Sequence, residues 1–376
     1  MDHVEYTLRG TVAVLAFKYP PVNSLSLPLR RDLGAALERA IADPAAKAIV
    51  LTGANGTFCA GADIREFNRP EVGLPPTLWH LIATVEASPK PVVAAIEGAA
   101  LGGGLELALG CHYRVALESA RVGLPEVKLG LLPGAGGTQR LPRMLGVESA
   151  LNVMLGGDPL PAKLFAKSPL FDAVVATDLA GAALKVAEKA AATAADTGRK
   201  PHERLPRVRD RRVREPNLEA LLQFARNTVK AAFSKYPAPL AIVDAVAAAG
   251  KAKSFDEGLA EEGRLFRMLV ASPESAALRH IFFAERATQK ISDIPEGTPT
   301  RDIRSVGVIG AGTMGGGISI NFLNAGIPVK LLELKQDALD RGVAKIREIY
   351  DGQVAKGRLK PDDLAKRMAA LTPTLS

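Results

Sequence analysis

The sequence predicts an α/β protein, because short apolar runs closed by glycine alternate with helical periodicity along its first half. Residues 4–8 and 11–17 read as a pair of strands with a glycine at the turn. Residues 29–42 carry the spacing of an amphipathic helix. Residues 48–52 read as a buried strand ending at Gly53, and residues 91–96 as another closed by Gly98. Residues 171–175 form a third candidate. From Leu218 the pattern becomes wholly helical. Ser254-Phe255-Asp256-Glu257 is a capping-box start, and Ser272-Pro273-Glu274 places proline at a first helical position. The polar stretch 292–299, bearing Pro and Gly, breaks this pattern. Residues 305–309 then open a fresh strand–turn–helix–strand unit, and no internal repeat is visible.

The 376 residues allow two domains at roughly 100–200 residues each. An apolar share of 47% gives an ordinary globular core. No apolar run approaches the ~20 residues that span a bilayer, so membrane insertion is not expected. The opening Met1-Asp2-His3-Val4-Glu5 lacks the basic-then-apolar order of a signal peptide. Cys59 and Cys111 sit among small or apolar neighbours, which predicts buried free thiols in a reducing, cytoplasmic interior. The five histidines are scattered without ligand spacing and give no case for a metal. Much of the net charge of +8 lies in the run from Arg199 to Arg214. A nucleic-acid site would interleave that charge with aromatics, and none occur there. A solvated connecting segment is expected; the lesser alternative is a patch that attracts anionic substrates.

Two glutamates stand out. In Leu101-Gly102-Gly103-Gly104-Leu105-Glu106-Leu107-Ala108-Leu109-Gly110 a helix would begin at the glycines, with small or apolar residues on every side. Glu106 falls in its first turn, where a buried carboxylate is costly to ionise and seldom kept for packing alone. The competing reading is a Glu steadied by the helix N-terminus or reaching solvent past the glycines. Glu126 lies twenty residues on, after Pro125, at the end of an extended apolar segment. Beyond it, Pro133-Gly134-Ala135-Gly136-Gly137-Thr138-Gln139-Arg140 could bring main-chain donors to a ligand, and it lacks the Gly-Lys-Ser/Thr ending of a nucleotide P-loop. The loop Phe58-Cys59-Ala60-Gly61-Ala62-Asp63-Ile64 suits close approach of a ligand, though alone it reads as an ordinary strand-to-helix turn. Together these parts suit acid–base chemistry beside a thioester: N–H groups hold the carbonyl oxygen while one carboxylate takes a proton and another gives one.

Near the end, Val306-Gly307-Val308-Ile309-Gly310-Ala311-Gly312-Thr313-Met314-Gly315 runs a strand into G-x-G-x-x-G, and Glu333 follows about twenty positions later. Gly310 allows the tight turn, Gly312 the approach of a pyrophosphate, and Gly315 helix–strand packing. Glu333 would bind a ribose hydroxyl and repel the extra phosphate of NADP, so NAD is the expected cofactor.

These motifs resemble the crotonase (enoyl-CoA hydratase/isomerase) superfamily, and more closely its multifunctional fatty-acid β-oxidation members, whose hydratase domain precedes a 3-hydroxyacyl-CoA dehydrogenase. The resemblance implies a spiral core of strand–strand–helix turns and an acyl-CoA substrate. Glu106 would activate water for addition to C3 of a 2-trans-enoyl-CoA, and Glu126 would deliver a proton to C2. The N–H groups of Ala62 and Gly103 would form the oxyanion hole, that of Gly134 would help hold the water, and Ala60, Asp63, Ile64 and Arg65 would contact coenzyme A. Gly310, Gly312, Met314, Gly315 and Glu333 would bind NAD, while the hydration itself needs no cofactor. Glu106 favours hydratase over isomerase-only relatives, with some Δ3-to-Δ2 isomerisation expected.

The expected domains are a hydratase core at 1–195, a helical part and linker helix at 196–289, a linker at 290–302, and an incomplete NAD-binding unit at 303–376. The long linker helix leans towards a monomer. The catalytic histidine of the dehydrogenase would lie later, so no dehydrogenase activity is expected of the chain as given. A cytoplasmic location of the bacterial kind is expected, with a peroxisomal one left open. The rival reading is a non-catalytic module that binds acyl-CoA or NAD within a larger assembly.

Overall fold

The structure, a computed structural model, describes residues 2–67, 69–195, 205–288, 291–295 and 297–376. The chain divides into two compact units, 1–289 and 290–376.

In the first unit β1 (Val4–Arg9) and β2 (Val12–Phe17) pair antiparallel, with Val4 opposite Phe17. Helix α1 (Leu27–Ala42) follows, then β3 (Ala48–Gly53), α2 (Leu78–Ala87), β4 (Val92–Ile96), β5 (Ala99–Leu101) and α3 (Gly103–Gly110). Next come β6 (Tyr113–Leu117), β7 (Arg121–Gly123), α4 (Gly137–Leu145), α5 (Val147–Gly156), β8 (Leu160–Pro161), β9 (Ala173–Val175) and α6 (Leu179–Ala195). The large sheet runs β1-β2-β3-β4-β6-β9, parallel from β2 onward, and a small sheet runs β5-β7-β8. Consecutive strands therefore part company: β4 and β6 enter the large sheet, while β5 and β7 enter the small one. Each such pair hands the chain to a helical segment, which is the strand–strand–helix spiral. β4 is buried along its whole length, as a strand covered on both faces must be.

Helices α7 (Leu218–Ala232), α8 (Pro237–Lys251), α9 (Phe255–Val270) and α10 (Pro273–Ala287) complete this unit. Ser254 caps α9 by accepting from the Glu257 N–H at 3.1 Å. The expected capping box is only half formed, because Glu257 accepts instead from the N–H of Lys253. Ser275 of α10 donates to the Leu129 carbonyl, so this helix lies on the short 3-10 turn Pro125–Leu129.

The small sheet went unread in the sequence because strands of two or three residues show no periodicity. Glu126 lies in that 3-10 turn rather than at the end of an extended segment. Within residues 205–214, Arg211, Arg212 and Arg214 are exposed, as a solvated connector would have them, while the segment is also anchored. Leu205 and Val208 are buried there, and Arg209 reaches Asp256 at 2.6 Å and Glu86 at 3.5 Å. The start of that basic run, 199–204, lies outside the described residues.

The second unit contains β10 (Val306–Ile309), α11 (Thr313–Asn324), β11 (Val329–Leu332), α12 (Gln336–Ala355), α13 (Pro361–Ala369) and β12 (Leu371–Thr374). Its three strands pair in parallel in that order, with Val329 between Val306 and Leu371. Among the described residues no helix is long and apolar enough to cross a membrane. Nor, among them, do three or more His, Cys, Asp or Glu side chains gather where they could hold a metal.

Candidate active site

The glycine run of residues 102–104 ends β5 and starts α3, and it brings the helix close to two other segments. A Cβ on Gly104 would stand 2.4 Å from the Cys59 carbonyl, so only glycine lets α3 press onto the 58–62 loop. The nitrogen of Ala62 lies 3.3 Å from the point a Cβ on Gly103 would occupy. The N–H groups of Ala62 and Gly103 thus stand side by side. Neither has a hydrogen-bond acceptor among the described residues.

One turn into α3, Glu106 is only 3% exposed. Its Oε1 accepts from the N–H groups of Ala135 and Gly137, each at 2.7 Å. Those donors belong to the glycine-dense turn that opens α4. Glu126 faces Glu106 from the 3-10 turn, and its Oε2 is buried without a hydrogen-bond partner among the described residues. Ala60, Ala62, Ile64, Gly103, Glu106, Glu126 and Gly134 line one cleft, closed by Phe67, Trp79 and Phe266. Phe266 of α9 stacks edge-on against Phe67 and fills the space beside Gly134, whose Cβ would lie 2.4 Å from its ring.

Burial governs the proton affinities. It pushes Glu106 up to about 7, even though two N–H groups and Arg140 pull it down. Burial, and then the charge of Glu106, raises Glu126 well above the ordinary carboxylate range. At neutral pH one carboxylate is poised to accept a proton while the other keeps one, the division that acid–base catalysis requires.

Not every expected residue reaches the cleft. Asp63 caps the short turn Ile64–Glu66 and pairs with Arg65 at 2.7 Å, and neither lines the cavity. Two residues escaped the sequence reading. Arg30, buried on α1, pairs with Glu66 and donates to the carbonyls of Leu25, Glu71 and Pro76, which ties down the loop over the cleft. Glu262 of α9 accepts from the N–H groups of Gly136 and Thr138. The buried stripe Phe255, Gly258, Glu262, Leu265 and Leu269 was the available signal, since Glu262 interrupts it at helical spacing.

In the second unit, a groove is lined by Ala311, Gly312, Thr313, Glu333, Arg341 and Lys345, among others. A Cβ on Gly315 would lie 1.8 Å from the Gly310 carbonyl, so glycine is required for that helix–strand contact. Around Gly312 the space is open. Glu333 directly follows β11 and accepts from the Ala311 N–H at 2.9 Å, which lowers its proton affinity. The Met314 side chain is 77% exposed, and its main chain stands in the first turn of α11.

Paired buried carboxylates stand beside two main-chain N–H groups that have no acceptor among the described residues, an arrangement suited to acid–base chemistry. Residues 7–235 match the family described as Enoyl-CoA hydratase/isomerase, and the chain belongs to that family. Residues 305–376 match the 3-hydroxyacyl-CoA dehydrogenase NAD binding domain. The Peroxisomal bifunctional enzyme of Danio rerio is 41% identical, over 95% of this chain and 51% of its own length. The Fatty acid oxidation complex subunit alpha of Shewanella amazonensis is 37% identical, over 96% of this chain and 52% of its own length. The chain spans about half the length of the curated relatives it matches. The solved enoyl-CoA hydratase/isomerase of Pseudoalteromonas atlantica T6c aligns with 75% of this chain and 97% of its own, at a TM-score of 0.55 and 24% identity, a likeness of fold.

Proposed function

We propose that the first unit hydrates 2-trans-enoyl-CoA to 3-hydroxyacyl-CoA in fatty-acid β-oxidation. One observation carries the reading: Glu106 and Glu126 share a cleft, and their surroundings separate their proton affinities. The thioester oxygen would sit against the N–H groups of Ala62 and Gly103, which stabilise the charge it gains as the double bond is attacked. Glu106 takes a proton from water as the water oxygen bonds to C3. Glu126 gives its proton to C2. One water is consumed, and a proton passing from Glu106 to Glu126 resets the pair. Gly134 would help hold the water, and Ala60 and Ile64 would bound the coenzyme A channel, with Asp63 and Arg65 at its outer edge. No cofactor takes part in these steps.

The same Glu126 could return a proton taken from another carbon, so some Δ3-to-Δ2 isomerisation is part of the proposal. The turn residues Gly310, Gly312, Met314 and Gly315, with Glu333, would hold NAD: open space at Gly312 leaves room for a pyrophosphate at the α11 N-terminus, and Glu333 directly follows β11 where a ribose hydroxyl would lie. When bound, NAD would accept a hydride from the 3-hydroxyacyl product, the reaction we assign to the full-length parent. The seating of α10 against Leu129 supports a monomer, and two buried free thiols accord with a reducing compartment such as the cytoplasm.

Loss of the enoyl absorbance of crotonyl-CoA tests the central reading. Hydration should proceed with the native chain and fall about 10²–10⁴-fold in Glu106→Gln. Undiminished hydration in that variant would remove Glu106 from its role.

A further inference from the structure

Arg30 of α1 holds four separate pieces of chain at one buried point. Its Nη1 donates to the Leu25 carbonyl at 2.8 Å and to Glu66 Oε2 at 2.7 Å. Its Nε reaches the Pro76 carbonyl at 3.0 Å, and its Nη2 the Glu71 carbonyl at 2.8 Å. The side chain is only 4% exposed, and Glu66 also accepts from the N–H of Leu27. Two of these attachments lead to the main-chain N–H pair beside the carboxylates. Leu25 bridges in parallel to Ala62, and its N–H donates to the Gly61 carbonyl at 2.8 Å. Pro76 stands two residues before Leu78, whose Cδ2 lies 2.7 Å from the point that a Cβ on Gly103 would occupy. One attachment therefore backs the Ala62 N–H, and the other backs the helix start that carries the Gly103 N–H.

We infer that Arg30 is a positioning residue for the oxyanion hole: its guanidinium fixes, from one point, the spacing between the N–H groups of Ala62 and Gly103. The inference rests on the hydratase reading above. The planar guanidinium matters here more than its charge. It presents donors in a fixed fork that reaches carbonyls on different sides, whereas a lysine ammonium places all its donors on one nitrogen. Arg30→Lys keeps a cation beside Glu66 but cannot span from Leu25 to Glu71 and Pro76. Donors in an oxyanion hole act on charge that develops in the transition state, so a loosened pair lowers kcat more than it raises KM.

Crotonyl-CoA hydration by the full chain and the absorbance of bound dimethylaminocinnamoyl-CoA test this together. The electrons of that acyl group shift towards its thioester oxygen, so donors on the oxygen move its peak to longer wavelength. The peak position does not depend on how many molecules are folded. Arg30→Lys should lower kcat about tenfold or more, change KM less than about threefold, and lose part of the native red shift. A purely structural role would reduce stability and the active fraction yet leave the peak in place; that result, or native kcat in the variant, overturns the inference. Should Arg30→Lys fail to fold, Arg30→Met combined with Glu66→Gln serves instead. It removes both charges together, leaves no ion buried alone, and should lose at least as much of the red shift, whereas a full native shift again overturns the inference. A native chain that is active but leaves the probe unshifted also overturns it, since there is then no polarisation for Arg30 to maintain. A native chain inactive on crotonyl-CoA sinks the hydratase reading itself; an active native chain whose variants keep the native peak sinks only the role of Arg30.

Discussion

Oε1 of Glu126 stands 2.9 Å from the point that a Cβ on Gly102 would occupy. Gly102 caps α3 with φ 52° and ψ −128°, a conformation open to little but glycine. Gly102→Ala would strain the backbone by about 1–3 kcal/mol and push the Glu126 carboxylate aside. Misplacement of that size should cost roughly 10²-fold in kcat for crotonyl-CoA. Full activity in this variant would mean that Glu126 has slack.

The hydration rate should depend on pH through Glu106. This group must be charged to take a proton, and burial holds it near 7. Below that value kcat/KM should fall about tenfold per unit. Glu126 must keep its proton, and its raised affinity puts the alkaline limb above the acid one. Because the carboxylates interact, the limbs report the cluster as a whole. A profile flat between pH 5 and 7 would contradict the assignment.

Stability should move the opposite way. Folded Glu126 holds its proton far above the ordinary 4.5, so the folded state binds more protons than the unfolded one as pH rises through and beyond that value. Its contribution to stability is therefore lost with rising pH. Glu126→Gln removes this penalty, so its Tm should gain on the native chain between pH 5 and pH 8, by roughly 2–4 °C for each kcal/mol relieved. A constant gap in scanning calorimetry would count against the buried, proton-bearing state.

Arg140 and Glu86 pair at 3.1 Å with side chains only 4% and 5% exposed. Glu86→Leu leaves a buried guanidinium without its carboxylate, which should cost about 3–5 kcal/mol and shift the urea midpoint down. An unchanged midpoint would mean that the Ala135 carbonyl, already bonded to Arg140, suffices.

Phe266 walls the cleft against Phe67. Phe266→Ala should raise the preference for a ten-carbon enoyl-CoA over crotonyl-CoA, by roughly tenfold in the ratio of kcat/KM. An unaltered ratio would place the acyl chain along another wall.

How far the sequence could be read follows from what each residue contrasts with. Glu106 was legible because it is the lone charge in an apolar stretch. Glu262 was not, because Asp256, Glu257 and Glu261 surround it in sequence and make it resemble part of a solvated face. Arg30 hid in the same way beside Arg31. The parallel strands β3 and β4 were readable as continuous apolar runs, whereas β5, β7 and β8 owe their existence to pairing partners far along the chain. The division of donors between Glu106 and Glu262 is set by main-chain direction at Gly136, which residue type alone does not specify.

Cys59 belongs to the loop that carries Ala62, it bridges to Ala100, and its thiol is wholly enclosed and pushed up to about 12 by burial. Cys111 ends α3 in equal seclusion, and the second unit contains no cysteine. A thiol-reactive dye will therefore stay dark on the native molecule and react only when the floor of the cleft comes apart. The labelling rate becomes a clock for that one event, blind to whatever the NAD-binding unit is doing.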